Sequence, residues 1–376
     1  MKYLMLSAAA LLLAAGCAKI QPQAAGEENI HTTVETKTML KTDSMGVEFG
    51  DSTQAFGAIE GVITGSDGNI AVLDRAACCI RIFTPEGEFL RQISREGNGP
   101  GELMSAAFLT ITEDGTLILT GDGSEMLGIH AFDYFTGEWM GSEPSFGSPP
   151  TCLEGAAGRT YMRKSLDVDV STGEPVIVVQ ITLNEIGTEE PLVVFLEERI
   201  PFNPQDMSEI ISLVWFGYDL ACDFSGRFYV SPRSTEEAAV YAYDQTGAEL
   251  YSIELDLEPA QRSEEELESE RLVLVSKAVA MDDAEVASSL EADPYKPMIR
   301  GLEVDDDGNL WVLLGGPSQP AFEVFNSSGE YLHRVVLEGN QTDGHSWNFN
   351  FSSDNILAYA EDPSEGYQKV WLLELE

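Results

Sequence analysis

The sequence predicts an all-β fold, a six-bladed β-propeller with a helical insertion between blades four and five. Three observations support this prediction. A unit made of a tight turn, a strand, a second strand, a glycine turn and a third strand recurs through residues 46–376. An apolar segment leads into each unit, and the resulting four strands are the anatomy of a propeller blade. Residues 258–296 interrupt the repeat with a helical spacing of apolar residues.

Four copies of the unit are clear. Each combines an opening turn, two strands of alternating pattern and a later glycine turn before the third strand. The opening turns are Asp67-Gly68, Asp114-Gly115, Ser225-Gly226 and Asp307-Gly308. Two weaker copies, in residues 158–195 and 353–373, bring the number of blades to six.

The end of the chain predicts how the ring closes. The last unit stops at Glu376 after its third strand, so a fourth strand must come from elsewhere or leave an unpaired edge. Residues 46–50, which lie just before the first unit, are the predicted donor. A blade built from both termini makes the domain indivisible.

The insertion in residues 258–296 carries its own helix signals. Ser263-Glu264-Glu265-Glu266 has the pattern of a capping box. Leu272, Val275 and Val279 then recur near helical spacing. Two interpretations stay open: a decoration that packs on the side of the propeller, or a lid over its channel.

These repeats resemble those of the NHL-repeat group, and the chain resembles six-bladed β-propeller lipoproteins of environmental bacteria. Residues 95–103, Arg-Glu-Gly-Asn-Gly-Pro-Gly-Glu-Leu, are similar to the Gly-x-Gly-Pro-Gly-Glu turn of that group. The resemblance covers residues 46–376 and implies the fold. It does not imply a function, because propellers host many activities.

The N-terminus has the pattern of an export signal. Lys2 precedes an apolar run over residues 4–15, which is too short to span a bilayer but has the length of a signal-peptide core. Residues 1–16 are therefore predicted to be a lipoprotein signal peptide. The segment Ala14-Ala15-Gly16-Cys17 resembles a lipobox, which implies a lipid on Cys17. An ordinary secretory signal beside a stray cysteine is the alternative.

The segment after the lipobox bears on location. Residues 17–45 are polar with little hydrophobic periodicity, and we expect a flexible tether there. Ala18 stands where an inner-membrane retention signal usually has Asp. The resemblance therefore points to the outer membrane, reached through the lipid on Cys17, with the domain on the periplasmic side or at the cell surface.

The chain is strongly acidic. It has 64 Asp and Glu residues against 21 Lys and Arg, a formal net charge of −43. Such a surface repels the phosphate backbone, so nucleic acid is excluded as a partner. The charge fits either solubility in salty water or a specific role in binding cations.

No catalytic residue is assigned from the sequence, since no nucleophile and histidine sit in a recognisable motif. Four cysteines besides Cys17 lack the spacing of a zinc site, and the choice between free thiols and one disulfide stays open. These are Cys78, Cys79, Cys152 and Cys222.

Basic and aromatic residues cluster on one predicted face. If the first strand of each blade is innermost, Arg95, Arg233, Tyr295 and Arg300 project from or near one mouth of the channel. In so acidic a chain they would attract an anionic ligand. Their alternative role is in surface salt bridges.

Two classes of function follow. The first is a non-catalytic binding or interaction module without a cofactor, whose partner is a small molecule, a glycan or a protein. The second is a hydrolase or lyase resembling gluconolactonases, with a divalent metal in the channel. The second class needs carboxylates or amides that point inward from the first strands. The candidates are Glu60, Glu154, Asp219, Asp223 and Glu303.

Overall fold

The computed structural model describes residues 35–122, 128–144, 152–156, 159–171, 175–188, 190–201, 217–223, 225–280, 291–317, 319–339, 347–352, 355–360 and 366–376. Residues 1–16 and the lipobox therefore lie outside the described part of the chain. Within the described ranges, no helix has the length and apolar character needed to cross a membrane.

Twenty-four strands and one described helix make up the fold. Strand β1 spans Thr36–Met45. Blade one holds β2 Ile59–Thr64, β3 Ile70–Asp74, β4 Cys79–Phe83 and β5 Phe89–Ile93. Blade two holds β6 Ala106–Ile111, β7 Leu117–Asp122, β8 Gly128–Asp133 and β9 Trp139–Pro144. Blade three holds β10 Cys152–Gly155, β11 Thr160–Asp169, β12 Val176–Glu185 and β13 Val193–Pro201.

The second half repeats the arrangement. Blade four holds β14 Tyr218–Cys222, β15 Arg227–Pro232, β16 Ala239–Asp244 and β17 Glu249–Glu254. Helix α1, Glu264–Ala280, follows it. Blade five holds β18 Ile299–Val304, β19 Leu310–Leu314, β20 Ala321–Phe325 and β21 Tyr331–Leu337. Blade six holds β22 Trp347–Phe351, β23 Ile356–Ala360 and β24 Val370–Leu375.

Each blade is an antiparallel sheet whose strands follow chain order. The first strands contact one another in a closed cycle, from β2 through β6, β10, β14, β18 and β22 back to β2. The six-bladed β-propeller is therefore confirmed, with its first strands around a central axis. Helix α1 lies between blades four and five, where the sequence places the insertion.

Strand β1 closes the ring. It pairs antiparallel with β24, with Met39 opposite Leu375 and Met45 opposite Val370. Its first residues also pair in parallel with β21 of blade five, so one strand covers the outer edges of two blades. Closure by the N-terminal segment is correct, but residues 46–50 are not the donor.

The predicted tether over residues 17–45 is accordingly wrong for its last ten residues, which form β1. Two side chains of β1 are buried, Met39 at 0% and Met45 at 3% exposure, and they pack in different clusters, Met39 with Leu373 and Met45 with Val370. A strand with two buried apolar side chains in ten residues gives almost no alternating pattern. The polar composition of the segment therefore concealed it.

The opening turn of each blade explains why the repeat can be recognised in the sequence. In blade five the Gly308 amide donates to the Asp305 carbonyl at 2.8 Å, and the Asp305 carboxylate accepts the Asn309 amide at 2.8 Å. Gly308 has a φ of 77°, a conformation that glycine adopts without steric cost. The glycine of the repeat is thus required by the turn itself, and in blade five the accepting carboxylate is that of Asp305, two residues before the Asp307 of the repeat.

Buried carboxylates fix the position of the backbone just before the first strands. Asp74, at the end of β3, accepts the amides of Gly57 and Ala58 just before β2, at 3.0 and 3.1 Å. Its charge is balanced by Arg81 at 3.0 Å. In blade two, Asp122 accepts two amides before β6 in the same way. Side chains at the second strands therefore position the residues that enter the channel.

The helical insertion begins as predicted. The Glu266 amide donates to Ser263 Oγ at 3.2 Å, and the Ser263 amide donates to Glu266 Oε2 at 2.7 Å, which is a capping box. The predicted apolar face is partly wrong, because Leu272 is 54% exposed while Leu274 is 3% exposed. Residues 281–290 of the insertion lie outside the described ranges.

Paired backbone segments form the base of the insertion. The Arg262 amide donates to the Pro294 carbonyl and the Lys296 amide to the Ala260 carbonyl, each at 2.8 Å. Tyr295 forms a bridge with Gln261 between these bonds. The insertion therefore leaves and rejoins the propeller through a short two-stranded neck.

Candidate functional site

A cavity of about 670 Å³ lies on the propeller axis. All six first strands contribute to its wall. Its volume is in the range of small-molecule sites, about 300–1,000 Å³. The cavity is the candidate site, and its chemistry depends on which side chains the first strands present.

One ring of six equivalent positions surrounds the cavity. Each first strand pairs with the second strand of its blade. The second-to-last residue in this pairing lines the cavity wall in all six blades. In blade order these residues are Ile63, Thr110, Glu154, Ala221, Glu303 and Asn350. We call this set the equatorial ring. Two of its six members are carboxylic acids, and only the small Ala221 separates them in the sequence of blades.

Glu154 and Glu303 have unusual electrostatics. Burial raises the pKa of Glu154 to about 8. Burial also raises the pKa of Glu303 well above its usual value, with further contributions from the negative charges of Glu154 and Asp219. The structure gives neither glutamate a hydrogen-bond or ion-pair partner within the described ranges. Such a pair can hold protons near neutral pH or bind a positive group.

The remaining carboxylate candidates are paired with arginines. Glu60 lies 2.8 Å from Arg75. Asp219 accepts Arg233 through two nitrogens, at 2.6 and 2.8 Å. Asp223 lies 3.1 Å from Arg227, whose backbone amide it also accepts at 2.8 Å. These charges are largely compensated by the protein itself.

The structure thus brings all five carboxylates named from the sequence into the wall of one cavity. It does not bring them together as a metal site. Across the parts of the chain that the structure describes, no three His, Cys, Asp or Glu side chains are close enough to hold an ion.

The four residues predicted at the channel mouth divide into two groups. Arg233 and Arg300 line the cavity. Arg95 does not line it: its side chain is 77% exposed and bonds twice to Glu102, at 2.7 and 2.9 Å. Tyr295 lies in the neck of the insertion, also outside the cavity wall. Arg95 lies outside the cavity wall because its guanidinium bonds to Glu102, which belongs to the same glycine-rich turn.

Three β-bulges place side chains at the cavity wall. Glu60, Phe108 and Arg300 are each the unpaired extra residue of β2, β6 and β18. Phe108 has a φ of 61°, which non-glycine residues rarely adopt. A bulge re-aims its residue, and here it aims all three into the cavity.

Sequence reasoning missed several wall residues, among them Phe108, Thr110, Asn348 and Asn350. No glycine marks the bulge at Phe108, although a glycine inside a strand often marks a bulge and does so at the two bulged positions that the sequence analysis had named. Gly61 and Gly301 follow Glu60 and Arg300 directly. For the two asparagines, no motif distinguishes a channel position from an ordinary strand position.

The cavity wall is predominantly acidic. Its acids outnumber its bases by eight to three. The acids are Glu60, Glu154, Asp219, Asp223, Glu303, Asp305, Asp306 and Asp307, and the bases are Arg227, Arg233 and Arg300. A cavity of this composition favours a cation or a neutral ligand over an anion.

Three cysteines are free thiols: Cys78, Cys79 and Cys222. The side chain of Cys152 lies outside the described set. Cys222 borders the cavity, and its thiol donates to the Gly155 carbonyl at 2.7 Å. Burial, together with the negative charges of Glu154 and Asp223, raises the pKa of Cys222 well above its usual value. This thiol is therefore a poor nucleophile.

One family model matches part of the chain. A family described as "6-bladed beta-propeller" has a model that matches residues 53–127. No curated protein matches the chain.

Solved structures with similar folds include U3-55K, which is 13% identical, with 88% of this chain and 98% of that chain covered and a TM-score of 0.48. Another is a protein of Bacteroides fragilis NCTC 9343 described as a "Putative exported protein". It is 10% identical, with 91% of this chain and 100% of that chain covered and a TM-score of 0.48.

Proposed function

We propose that this protein is an exported, lipid-anchored β-propeller that binds a small molecule in its axial channel, as a binding module and not as an enzyme. One observation carries the proposal. The cavity is enclosed by all six first strands, and two of its carboxyl groups have no partner within the described ranges. Both side chains are half-buried, and desolvation there disfavours their charged forms, so their presence in the wall favours a ligand that stabilises the charge.

The residues of the cavity wall give less support to a metal-dependent hydrolase. A catalytic metal is held by three or more protein ligands. Here Glu60, Asp219 and Asp223 are bonded to arginines, and the described ranges hold no group of three potential ligands. Glu154 and Glu303 remain, and two carboxylates fall short of such a site.

Location rests on the N-terminal sequence. The apolar core of residues 4–15 and the Cys17 motif support export and lipid attachment, at the outer membrane. The turn in residues 95–103 supports kinship with the NHL-repeat lipoproteins. Membrane attachment through a lipid fits the described domain, whose acidic surface gives no electrostatic attraction to an anionic bilayer.

Replacing Cys17 tests the anchor. The Cys17→Ser variant is expected to leave the membrane fraction and to appear in the soluble exported fraction, because no thiol remains to be acylated. Cell fractionation followed by immunoblotting measures this, with Cys79→Ser as the control that keeps the lipobox. Retention of the Cys17→Ser variant in membranes would contradict the anchor.

Blocking the channel tests the binding module. Asn348 lines the cavity on β22, so Asn348→Trp is expected to lower the affinity of any channel ligand at least about tenfold, about 1.4 kcal/mol. Diamines, dicarboxylates and neutral oligosaccharides serve as probes, measured by equilibrium dialysis. Phe49→Trp, at a residue that is 82% exposed, is the control.

At least one probe class should bind the parent protein and the Phe49→Trp control but bind Asn348→Trp weakly. Two results would count against a channel-binding function. One is that no class binds; the other is that binding survives unchanged in Asn348→Trp.

A further inference from the structure

The equatorial ring has a structural role that two of its members do not perform. In blade six, Asn350 Oδ1 accepts the amide of Thr64 in the next blade at 3.1 Å. In blade two, Thr110 Oγ1 accepts the amide of Gly155 in the next blade at 2.7 Å. Neutral polar side chains at this position therefore join one first strand to the next.

Glu154 and Glu303 occupy the same position without such a bond. Their carboxyl groups have no hydrogen-bond or ion-pair partner within the described ranges, although Asn or Thr would satisfy the joint between blades. A carboxylic acid that is half-buried in this wall, where desolvation and a second negative charge both disfavour ionisation, costs stability. Its occurrence twice in one ring, on either side of blade four, points to a role outside the fold.

The surroundings of the two glutamates select the kind of ligand. Eight acids against three arginines disfavour an anion. A zinc site needs at least three protein ligands, and the described side chains contain no such group. An ammonium group needs only one or two carboxylates, and its hydrocarbon part can pack against Phe108, Leu109 and Phe349, which also line the cavity.

We propose that the channel ligand is a small organic cation with one or more ammonium groups, held by the carboxylates of Glu154 and Glu303. This inference rests on the proposed function and specifies its ligand class. Binding involves proton transfer but no covalent change. A glutamic acid of the ring loses its proton to solvent, the ammonium group keeps its own, and the new contact is an ion pair.

Most of the elements around the two glutamates carry titratable groups, but strands β6 and β22 carry none. The titratable groups of the cavity wall are Glu60 on β2; Asp219 and Cys222 on β14; Asp223 after it; Arg227 on β15; Arg233 after it; Arg300 on β18; and Asp305, Asp306 and Asp307 after it. The adjoining strand β11 carries Tyr161, Arg163 and Lys164. Among the acids nearest the pair, Asp219 and Asp223 are bonded to arginines, so titration of the ring should centre on the two glutamates.

Calorimetric titration of the purified domain with putrescine tests the proposal. Affinity is expected to rise at least about tenfold between about pH 6 and pH 8.5, because the ring must lose protons while the amine, with a pKa near that of Lys, stays charged. Repeating the titration in buffers of different ionisation enthalpy should show proton release. Glu154→Gln and Glu303→Gln should each weaken binding about tenfold or more.

Control variants show whether an effect on putrescine affinity is specific to the two ring glutamates. Glu86→Gln with Glu88→Gln removes two exposed carboxylates on blade one and should leave the affinity within about twofold. Circular dichroism melts verify that each variant folds. Putrescine affinity that is unchanged in both ring variants overturns the proposal.

A further outcome shows whether the ligand class alone is wrong or the channel-binding function is wrong as well. If putrescine fails to bind while a dicarboxylate or an oligosaccharide binds and is lost in Asn348→Trp, the ligand class is wrong but the channel still binds. If no probe depends on the channel, the proposed function itself fails.

Discussion

A chain that lacks residues 36–45 is expected to lose the cooperative unfolding transition of the whole propeller. These residues form β1, which pairs with β24 of blade six and β21 of blade five. Removing β1 deletes the buried side chains of Met39 and Met45, and each buried methionine is worth about 2–5 kcal/mol. Together with two exposed sheet edges, the loss is comparable to the total stability of a domain, about 5–15 kcal/mol.

Thermal and urea unfolding of chains that begin at residue 35 and residue 46 measures this effect. The chain from residue 35 keeps β1 and should unfold in one transition, while the chain from residue 46 should aggregate or melt without cooperativity. An unchanged melting temperature in the shorter chain would contradict closure by β1.

A permuted variant shows whether the loss of stability comes from the missing strand β1 or from shortening the N-terminus. Glu376 and Thr38 exchange backbone hydrogen bonds at 2.8 and 3.1 Å, so the end of β24 lies beside the start of β1. Residues 36–45 joined after Glu376 through a short glycine-asparagine turn would therefore reach their normal place as a hairpin. This permuted chain should recover a cooperative transition.

Replacing the ring glutamates is expected to remove a large part of the stability that the protein loses as the pH rises from about 4.5 to about 8. Burial raises the pKa of Glu154 from 4.5 to about 8, so between these values the folded protein holds a proton that the unfolded chain has released. The free energy of unfolding then falls as pH rises, by about 1.4 kcal/mol per pH unit, until the folded carboxyl ionises. The contribution is present in full below pH 4.5 and is lost above about pH 8.

Urea unfolding at intervals from about pH 5 to pH 9 checks this expectation. Glu154→Gln and Glu303→Gln should flatten the pH dependence, and the double variant should flatten it most, because the two acids raise each other's pKa. Glu86→Gln with Glu88→Gln is the matched control and should retain the slope of the parent. Parallel slopes in all variants would show that the two glutamates ionise normally in the folded protein.

Much of the architecture could be predicted because the repeat is locally encoded. The turn around Asp305 and Gly308 needs those residue types for its own hydrogen bonds and backbone conformation, whichever blade it belongs to. The same reasoning identified the capping box at Ser263. Glu154 and Glu303 were found as candidates because alternation within a first strand determines which positions are equivalent from blade to blade.

Two contacts could not be predicted, and for one reason. The role of β1 depends on Met39 lying opposite Leu375, a pairing across almost the whole chain. Arg95 does not line the cavity, and its bond to Glu102 holds it in the turn. Neither contact leaves a trace in local composition.

By itself the sequence determined the strands and turns of the repeats, their number, and the candidate carboxylates of the channel. Each of these depends on neighbours a few residues away, so periodicity and turn chemistry are sufficient evidence. Only the tertiary structure decided which carboxylates are neutralised, by pairing Asp219 with Arg233 and Asp223 with Arg227 while leaving Glu154 and Glu303 without a partner among the described residues. The physical reason is that burial and pairing depend on how blades converge on the axis, and convergence exists only in the closed ring.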